Sequence, residues 1–250
     1  MIARLCESFV SVKNEAMNRQ PAPLLLLPGL MCDRQIWAPQ VEALVDYRPL
    51  AVDGYPGART LRAMAEQSLA AAPPVFSLAG HSMGARVALE VWRLAPERVE
   101  RLALLDTGVH PPSPKEAAGR GALLAVAREQ GIEAMVDRWL PPMVHPDRRG
   151  DALFMSRLRR MLSAGGAQRY ADQVEAMLAR PDPRPLLPRI ACPVLVGAGR
   201  EDEWSTVEQN REIAAAIPGA EFVVFEHCGH MAPVEAPGQV NAALRDWLHR

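Results

Sequence analysis

The segment Val75-Phe-Ser-Leu-Ala-Gly80-His-Ser82-Met-Gly84 carries more chemistry than any other in the sequence. An apolar run enters Gly-x-Ser-x-Gly and leaves it into a stretch with Val87, Val91 and Leu94 at helical spacing, closed by Pro96. A strand that turns at once into a helix strains its central residue and exposes the serine oxygen. Gly80 and Gly84 suit so tight a turn, because side chains there would collide. The bland alternative is a glycine-rich turn with an ordinary surface serine. The strand before it and the helix after it argue for the elbow.

A serine hydroxyl is a weak nucleophile until a base takes its proton, so a histidine is expected nearby in space. Six are available. His230 follows the last apolar run in Phe225-Glu-His-Cys-Gly-His-Met-Ala-Pro, and His227 shares its loop as the main rival. His81 adjoins the serine but is expected to point to the opposite side of the turn. His110 and His145 border or lie inside a helical stretch, and His249 is at the terminus. An acid is expected after the run Val194-Leu195-Val196, where Glu201, Asp202 and Glu203 all stand, most of them as ordinary solvated surface. The order serine, acid, histidine is that of one known triad arrangement. Asp106, at the end of the Leu102 to Leu105 run, is a second candidate acid.

These residues need a scaffold that brings distant loops to one edge. Short apolar runs alternate with helix-period segments, the pattern of βαβ units and a parallel sheet. Strands are expected at Leu24 to Leu27, Pro49 to Val52, Val75 to Ala79, Val99 to Leu105, Val194 to Val196 and Phe222 to Phe225. Helices are expected around Val41 to Val45, Leu61 to Ala72, Val207 to Ile217 and Asn241 to Leu248. Pro111, Pro112 and Pro114 mark a boundary, and Pro181, Pro183, Pro185 and Pro188 mark another. Between them the chain reads as helical from Lys115 to Ala179, broken near Gly131, Pro141-Pro142 and Gly165-Gly166. The organisation predicted is α/β: a mostly parallel sheet built from residues 1–110 and 189–250, with a helical cap over residues 111–188 inserted after the fourth strand.

The 250 residues suffice for one such domain. With 28 basic and 29 acidic side chains and a net charge of −1, no strong field favours nucleic acid or an anionic membrane. No apolar stretch approaches the roughly 20 residues of a membrane span. Met1 to Gln20 does not read as a secretory signal, and a cytoplasmic protein is expected. Cys6, Cys32, Cys192 and Cys228 form no CxxC pair, which argues against zinc or a disulfide scaffold. No phosphate loop or dinucleotide fingerprint occurs, so neither cofactor nor metal is expected. Oligomeric state is not legible.

Taken together, Pro28-Gly29-Leu30 after the first strand, the Ala79-Gly-His-Ser-Met-Gly84 elbow, Gly199-Arg-Glu-Asp202 and Gly229-His-Met-Ala-Pro-Val-Glu-Ala-Pro237 resemble the α/β-hydrolase superfamily, specifically its small capped bacterial esterases, enol-lactonases and carbon–carbon bond hydrolases. The resemblance covers roughly residues 22 to 250. It implies Ser82 as nucleophile, Asp202 rather than Glu201 or Glu203 as the acid, and His230 rather than His227 as the base. It also implies an oxyanion hole made by the backbone N–H groups of Leu30 and Met83. Most relatives have His-Gly where this chain has Pro28-Gly29, which removes a side chain that often braces the loop. The N-terminal hairpin also looks abbreviated, and Ala85 replaces a frequent glycine. A serine in the elbow argues against dehalogenases and epoxide hydrolases, which use aspartate.

The function implied is hydrolysis of a small ester, lactone or related acyl compound through an acyl-enzyme. The alternatives are carbon–carbon hydrolysis of a diketone and a slow-turnover ligand sensor that keeps the triad. The partner expected is a small acyl substrate. Met135, Trp139, Met143, Phe154, Met155 and Met161 are candidate pocket walls in the cap, each with plain packing as the alternative. A lid over Ser82 is expected because the helical stretch leaves and rejoins the sheet beside the elbow, and its methionines suit an adaptable pocket.

Overall fold

A computed structural model describes residues 21–250. Cys6, the abbreviated hairpin and the reading of Met1 to Gln20 lie outside the described residues. The six apolar runs form one parallel sheet: β1 (Leu24–Leu27), β2 (Leu50–Ala51), β3 (Phe76–His81), β4 (Val99–Leu105), β5 (Val194–Gly199) and β6 (Glu221–Phe225), in the order β2-β1-β3-β4-β5-β6. Every residue of β1, β3 and β5 is buried, which is why these strands read as continuous apolar runs without alternation. Register pairs Leu26 with Ala79, Leu104 with Val196 and Ala198 with Val224.

Around the sheet lie α1 (Ala38–Ala43), α2 (Leu61–Ala71) and α3 (Met83–Leu94). Between β4 and β5 come α4 (Pro114–Glu129), α5 (Ile132–Trp139), α6 (Ala152–Ser163) and α7 (Gly166–Leu178), with no strand among them. The chain then returns through α8 (Val207–Ala216), a single turn α9 (Ala232–Glu235) and α10 (Pro237–Leu248). The helix starts are set by side chains. Ser113 caps α4 by accepting from the Glu116 N–H at 3.1 Å, with Pro114 in the first turn where its missing N–H costs nothing. Asp151 caps α6 through the Phe154 N–H at 3.0 Å. The last helix begins at Pro237, earlier than its apolar pattern suggested, for the same reason that Pro114 fits.

Two strands extend beyond their last regular residue and thereby fix the site. The Ser82 N–H donates to Leu105 O and the Asp106 N–H to Gly197 O, each at 2.8 Å. The C-terminal ends of β3, β4, β5 and β6 therefore deliver Ser82, Asp106, Asp202 and His230 to one edge. Among the described residues no helix is long and apolar enough to cross a membrane.

Candidate active site

Ser82 sits between β3 and α3 with φ 55° and ψ −116°, a left-handed conformation that a residue with a Cβ adopts only under constraint. The constraint is visible in its neighbours. A side chain on Gly80 would run into the Gly84 carbonyl, and one on Gly84 would run into the Leu27 and Pro28 carbonyls. The Thr107 hydroxyl donates to Ser82 O at 3.0 Å and so holds the turn from the β4 side.

The imidazole of His230 bridges the serine to an acid. Its Nε2 lies 2.8 Å from Ser82 Oγ and its Nδ1 lies 2.7 Å from Asp202 Oδ2. Both His230 and Asp202 are buried. The other oxygen of Asp202 accepts the N–H groups of Trp204 at 2.8 Å and Ser205 at 2.9 Å, so four contacts fix the orientation of the chain acid–imidazole–hydroxyl. The histidine loop is itself pinned by the helical segment. The His230 N–H donates to Met143 O at 2.8 Å, and Glu235 accepts the N–H groups of His145 at 2.7 Å and Met231 at 2.9 Å. The rival His227 is exposed and stacks edge-on with His145, 6.0 Å between ring centres. Of the other two acids on the Asp202 loop, Glu201 accepts the Cys228 N–H at 2.9 Å and Glu203 is exposed.

His81 departs from expectation. Its ring does not turn away from the site but lies buried beneath His230, with Nε2 2.7 Å from His230 O and ring centres 5.4 Å apart. Burial, then the charge of His230, pushes its imidazole down to about 3, so it is neutral at physiological pH. The reason is packing: Gly29 leaves space on the β1 side that the His81 ring fills.

Asp106 is also fully buried. One oxygen accepts the Gly199 N–H at 2.8 Å, the other has no partner, and the nearest ring nitrogen, His81 Nε2, is 3.9 Å away. Burial first, and then the negative charge of Asp202, drives its carboxyl well above the usual carboxylate range. A raised folded pKa means that the unfolded chain releases a proton the folded chain keeps. Stability from this group is therefore full below about pH 4 and lost as pH rises toward the folded value. Asp106→Asn, nearly the same shape as the neutral acid, should remove that decline. In urea melts the variant should gain on wild type as pH rises above about 4. Parallel pH slopes for the two proteins would mean that Asp106 is ionised in the fold.

The loop after β1 approaches the serine closely: a Cβ on Gly29 would lie 3.3 Å from Ser82 Cβ. Pro28-Gly29 lacks a bracing side chain of its own, and the brace comes from elsewhere. Buried Gln173 of α7 accepts the Met31 N–H at 2.7 Å, where Met31 has φ 62°, and the Cys32 N–H closes the turn on Gly29 O at 3.1 Å. Leu30 and Met83 thus flank Ser82, both with buried side chains.

Above the serine opens a cavity of about 620 Å³ whose lining includes Ser82, His230 and an aromatic wall of Trp139, Tyr170 and Trp204. Trp139 packs edge-on against both neighbours, at 6.1 and 6.3 Å. Of the six candidate wall residues in the helical stretch only Trp139 lines this cavity. Met135, Met143 and Met161 are buried elsewhere, Phe154 lies under the Arg148 guanidinium at 4.0 Å, and Met155 borders a separate groove between α5 and α6. The physical cause is that α6 is an outer helix. Its Leu158, Met161 and Leu162 bury while Leu153 stays exposed, and the cavity is lined from α4, α5 and α7 instead.

A profile described as "Alpha/beta hydrolase family" matches residues 24–243. The chain belongs to the α/β-hydrolase family. It is 28% identical over 246 residues to (E)-2-((N-methylformamido)methylene)succinate hydrolase of Acinetobacter baylyi, covering 90% of each chain. Among solved structures it is similar to a malate-bound thermophilic esterase from Thermogutta terrifontis, at 31% identity and TM-score 0.84 over 91% of this chain and 89% of that one. It is similar also to the enol-lactonase of Burkholderia xenovorans LB400, at 28% identity and TM-score 0.80 over 92% of each chain. Other curated relatives, named 2-hydroxy-6-oxononadienedioate/2-hydroxy-6-oxononatrienedioate hydrolases, are longer, and the chain spans 60–62% of their length.

The cavity of this α/β-hydrolase is lined also by charged residues that stand in no motif of the sequence. Arg86, Lys115, Glu116 and Arg120 are among them. Arg86 follows Ser82 by four residues, and one helical turn places both on the same face. That spacing was the one available signal. Among the described residues, no group of three or more His, Cys, Asp or Glu side chains is arranged to hold a metal ion.

Proposed function

We propose that this α/β-hydrolase cleaves a small ester or lactone through an acyl-enzyme on Ser82. The observation that carries the reading is the unbroken chain Asp202–His230–Ser82, with both links at 2.7 to 2.8 Å. His230 Nε2 takes the Ser82 proton as Oγ attacks the carbonyl carbon. Asp202 accepts from Nδ1–H, fixes the tautomer and stabilises the imidazolium that forms. The backbone N–H groups of Leu30 and Met83 receive the oxyanion, Met83 with the free donor of a first helical turn. His230 then protonates the leaving alcohol, and a water molecule, deprotonated by the same nitrogen, releases the acid.

The helical stretch over residues 111–188 is the lid of this site, closing the acyl pocket with Trp139, Tyr170 and Met177. The volume and aromatic lining of the cavity suit a small organic ligand. The relatives' names, an esterase, an enol-lactonase and a succinate hydrolase, are consistent with this chemistry.

The test is pre-steady-state hydrolysis of para-nitrophenyl esters of graded acyl length, with lactones alongside. The expected result is a burst of nitrophenol equal to the enzyme, followed by sustained turnover. A burst with negligible turnover would make the protein a sensor. Turnover of a vinylogous diketone with no action on any ester would make it a carbon–carbon hydrolase.

A further inference from the structure

One wall of the cavity over Ser82 is basic beyond what its own acid can neutralise. Arg86, Lys115, Glu116 and Arg120 line it, and Arg180 lies behind with its side chain 1% exposed. Glu116 is the only carboxylate in this group, and it is already engaged twice. Arg180 grips it with two hydrogen bonds, of 2.9 and 2.7 Å, and Arg120 adds a third at 2.9 Å. Burial alone would raise the Glu116 carboxyl, but these partners outweigh it and hold the group at about 2, so it is ionised and its charge is spent on them.

Arg86 is left over. Its residue is 6% exposed, it forms no ion pair with any described residue, and the only hydrogen bond of its side chain among the described residues is a long 3.5 Å contact to His110 O. Burial, and then the nearby charge of Arg180, pushes its guanidinium down to about 9, so it still carries its charge at neutral pH. A buried cation without a partner is costly, and such groups persist where a ligand supplies the missing charge. The cavity itself gives a ligand access, since Arg86 and Gly108 both line it, and the missing side chain at Gly108 keeps the guanidinium uncrowded there: a Cβ would stand only 3.4 Å from Nη2. The Arg86 N–H lies 3.4 Å from Ser82 O, one helical turn along α3, which puts the two Cα atoms about 6 Å apart.

We propose that Arg86, with Lys115 and Arg120 beside it, is a carboxylate-binding subsite, so that the substrate carries an acidic group a few bonds from the carbonyl that Ser82 attacks. This rests on the acyl-hydrolase reading and adds to it a substrate class. The planar fork of a guanidinium matches a carboxylate with two parallel N–H···O bonds, which fixes orientation as well as charge. The aromatic wall of Trp139, Tyr170 and Trp204 then covers the apolar part of the molecule.

Two ester pairs test the idea. In the first, mono-para-nitrophenyl glutarate is compared with para-nitrophenyl hexanoate, so that the charge lies on the acyl side. In the second, the butyryl ester of meta-hydroxybenzoate is compared with phenyl butyrate, so that it lies on the leaving group. Wild type should favour the charged member of at least one pair by about tenfold or more in kcat/KM. Arg86→Met should collapse that ratio to about one, and Arg86→Lys should restore part of it. Retained labelling of Ser82 by a fluorophosphonate checks that the Arg86→Met elbow is intact. Binding of glutarate to Ser82→Ala, followed by calorimetry, should be lost when Arg86→Met is added.

Failure of the subsite and failure of the acyl-hydrolase reading look different. Efficient hydrolysis of neutral esters, with no charge preference in either pair and no glutarate binding, overturns the subsite and leaves the hydrolase standing. Arg86-dependent glutarate binding without hydrolysis of any ester overturns the hydrolase and leaves the subsite standing.

Discussion

Ser82→Ala should lower acyl turnover by about 10⁶-fold while the protein still folds and binds substrate. The alanine keeps the Cβ and the same strained backbone, so only the Oγ bond to His230 is lost. His230→Ala should be nearly as damaging, because nucleophile and base act as a unit and losing either removes the same step. His227→Ala should cost little, since that ring is exposed and faces His145 rather than the serine. Fluorophosphonate should label wild type at Ser82 alone, and labelling that survives Ser82→Ala would place the nucleophile elsewhere. The elbow offers an independent physical check. At φ 55° and ψ −116° a glycine is unstrained, so Ser82→Gly should melt a few degrees above Ser82→Ala in spite of glycine's greater unfolded-state freedom. If it melts lower, the elbow stores no strain.

The strands were legible in the sequence because a doubly covered parallel sheet leaves them apolar on both faces. Leu24–Leu27 and Val194–Val196 could hardly be anything else, and all six strand positions and the helical stretch from Pro114 are found where those runs and the proline clusters put them. The elbow was legible for a related reason: its two glycines answer steric contacts with the Leu27, Pro28 and Gly84 carbonyls, and sterics of that kind are local enough to leave a motif. The acid and the base were less so. Glu201, Asp202 and Glu203 sit on a loop with no period, and only the resemblance selected Asp202. What separates them in space is which one the Trp204 and Ser205 amides turn toward His230.

The pocket was the least legible part. Phe154 and the methionines of the helical stretch were read as possible walls on composition, but whether a helix faces the site or the solvent depends on its neighbours in three dimensions. Here α6 is shielded by α5, and the wall falls to Trp139 and Tyr170. Beyond its four-residue spacing from Ser82, Arg86 was silent for a similar reason. An arginine inside a helix reads as surface, and its burial comes from Gly108 and His110, a connection more than twenty residues away. Gln173, which braces the Met31 turn from 142 positions downstream, left no trace at all in the local pattern.

Asp202→Asn should reduce turnover by about 10⁴-fold with little change in substrate binding. The carboxylate does three things that an amide cannot do together. Its Oδ2 receives the Nδ1–H of His230 at 2.7 Å, its Oδ1 receives the amides of Trp204 and Ser205, and its charge stabilises the imidazolium of the transition state. Asparagine keeps the shape, but an NH₂ turned toward Nδ1 forces the proton onto Nε2, the nitrogen that must accept from Ser82. An amide turned the other way would aim its NH₂ at two N–H donors, so neither rotamer satisfies the site. The loss should therefore fall on kcat, with KM changed by a small factor. Asp106→Asn is the control, because Asp106 is just as buried and lies at the end of the neighbouring strand, yet touches Gly199 rather than His230. Burial favours its protonated form, which is close to an amide in shape and charge, so turnover should stay within about fivefold of wild type while the pH dependence of stability changes. If the order of the two effects were reversed, the acid that serves His230 during turnover would be Asp106, reached by a rearrangement of the loop after β5.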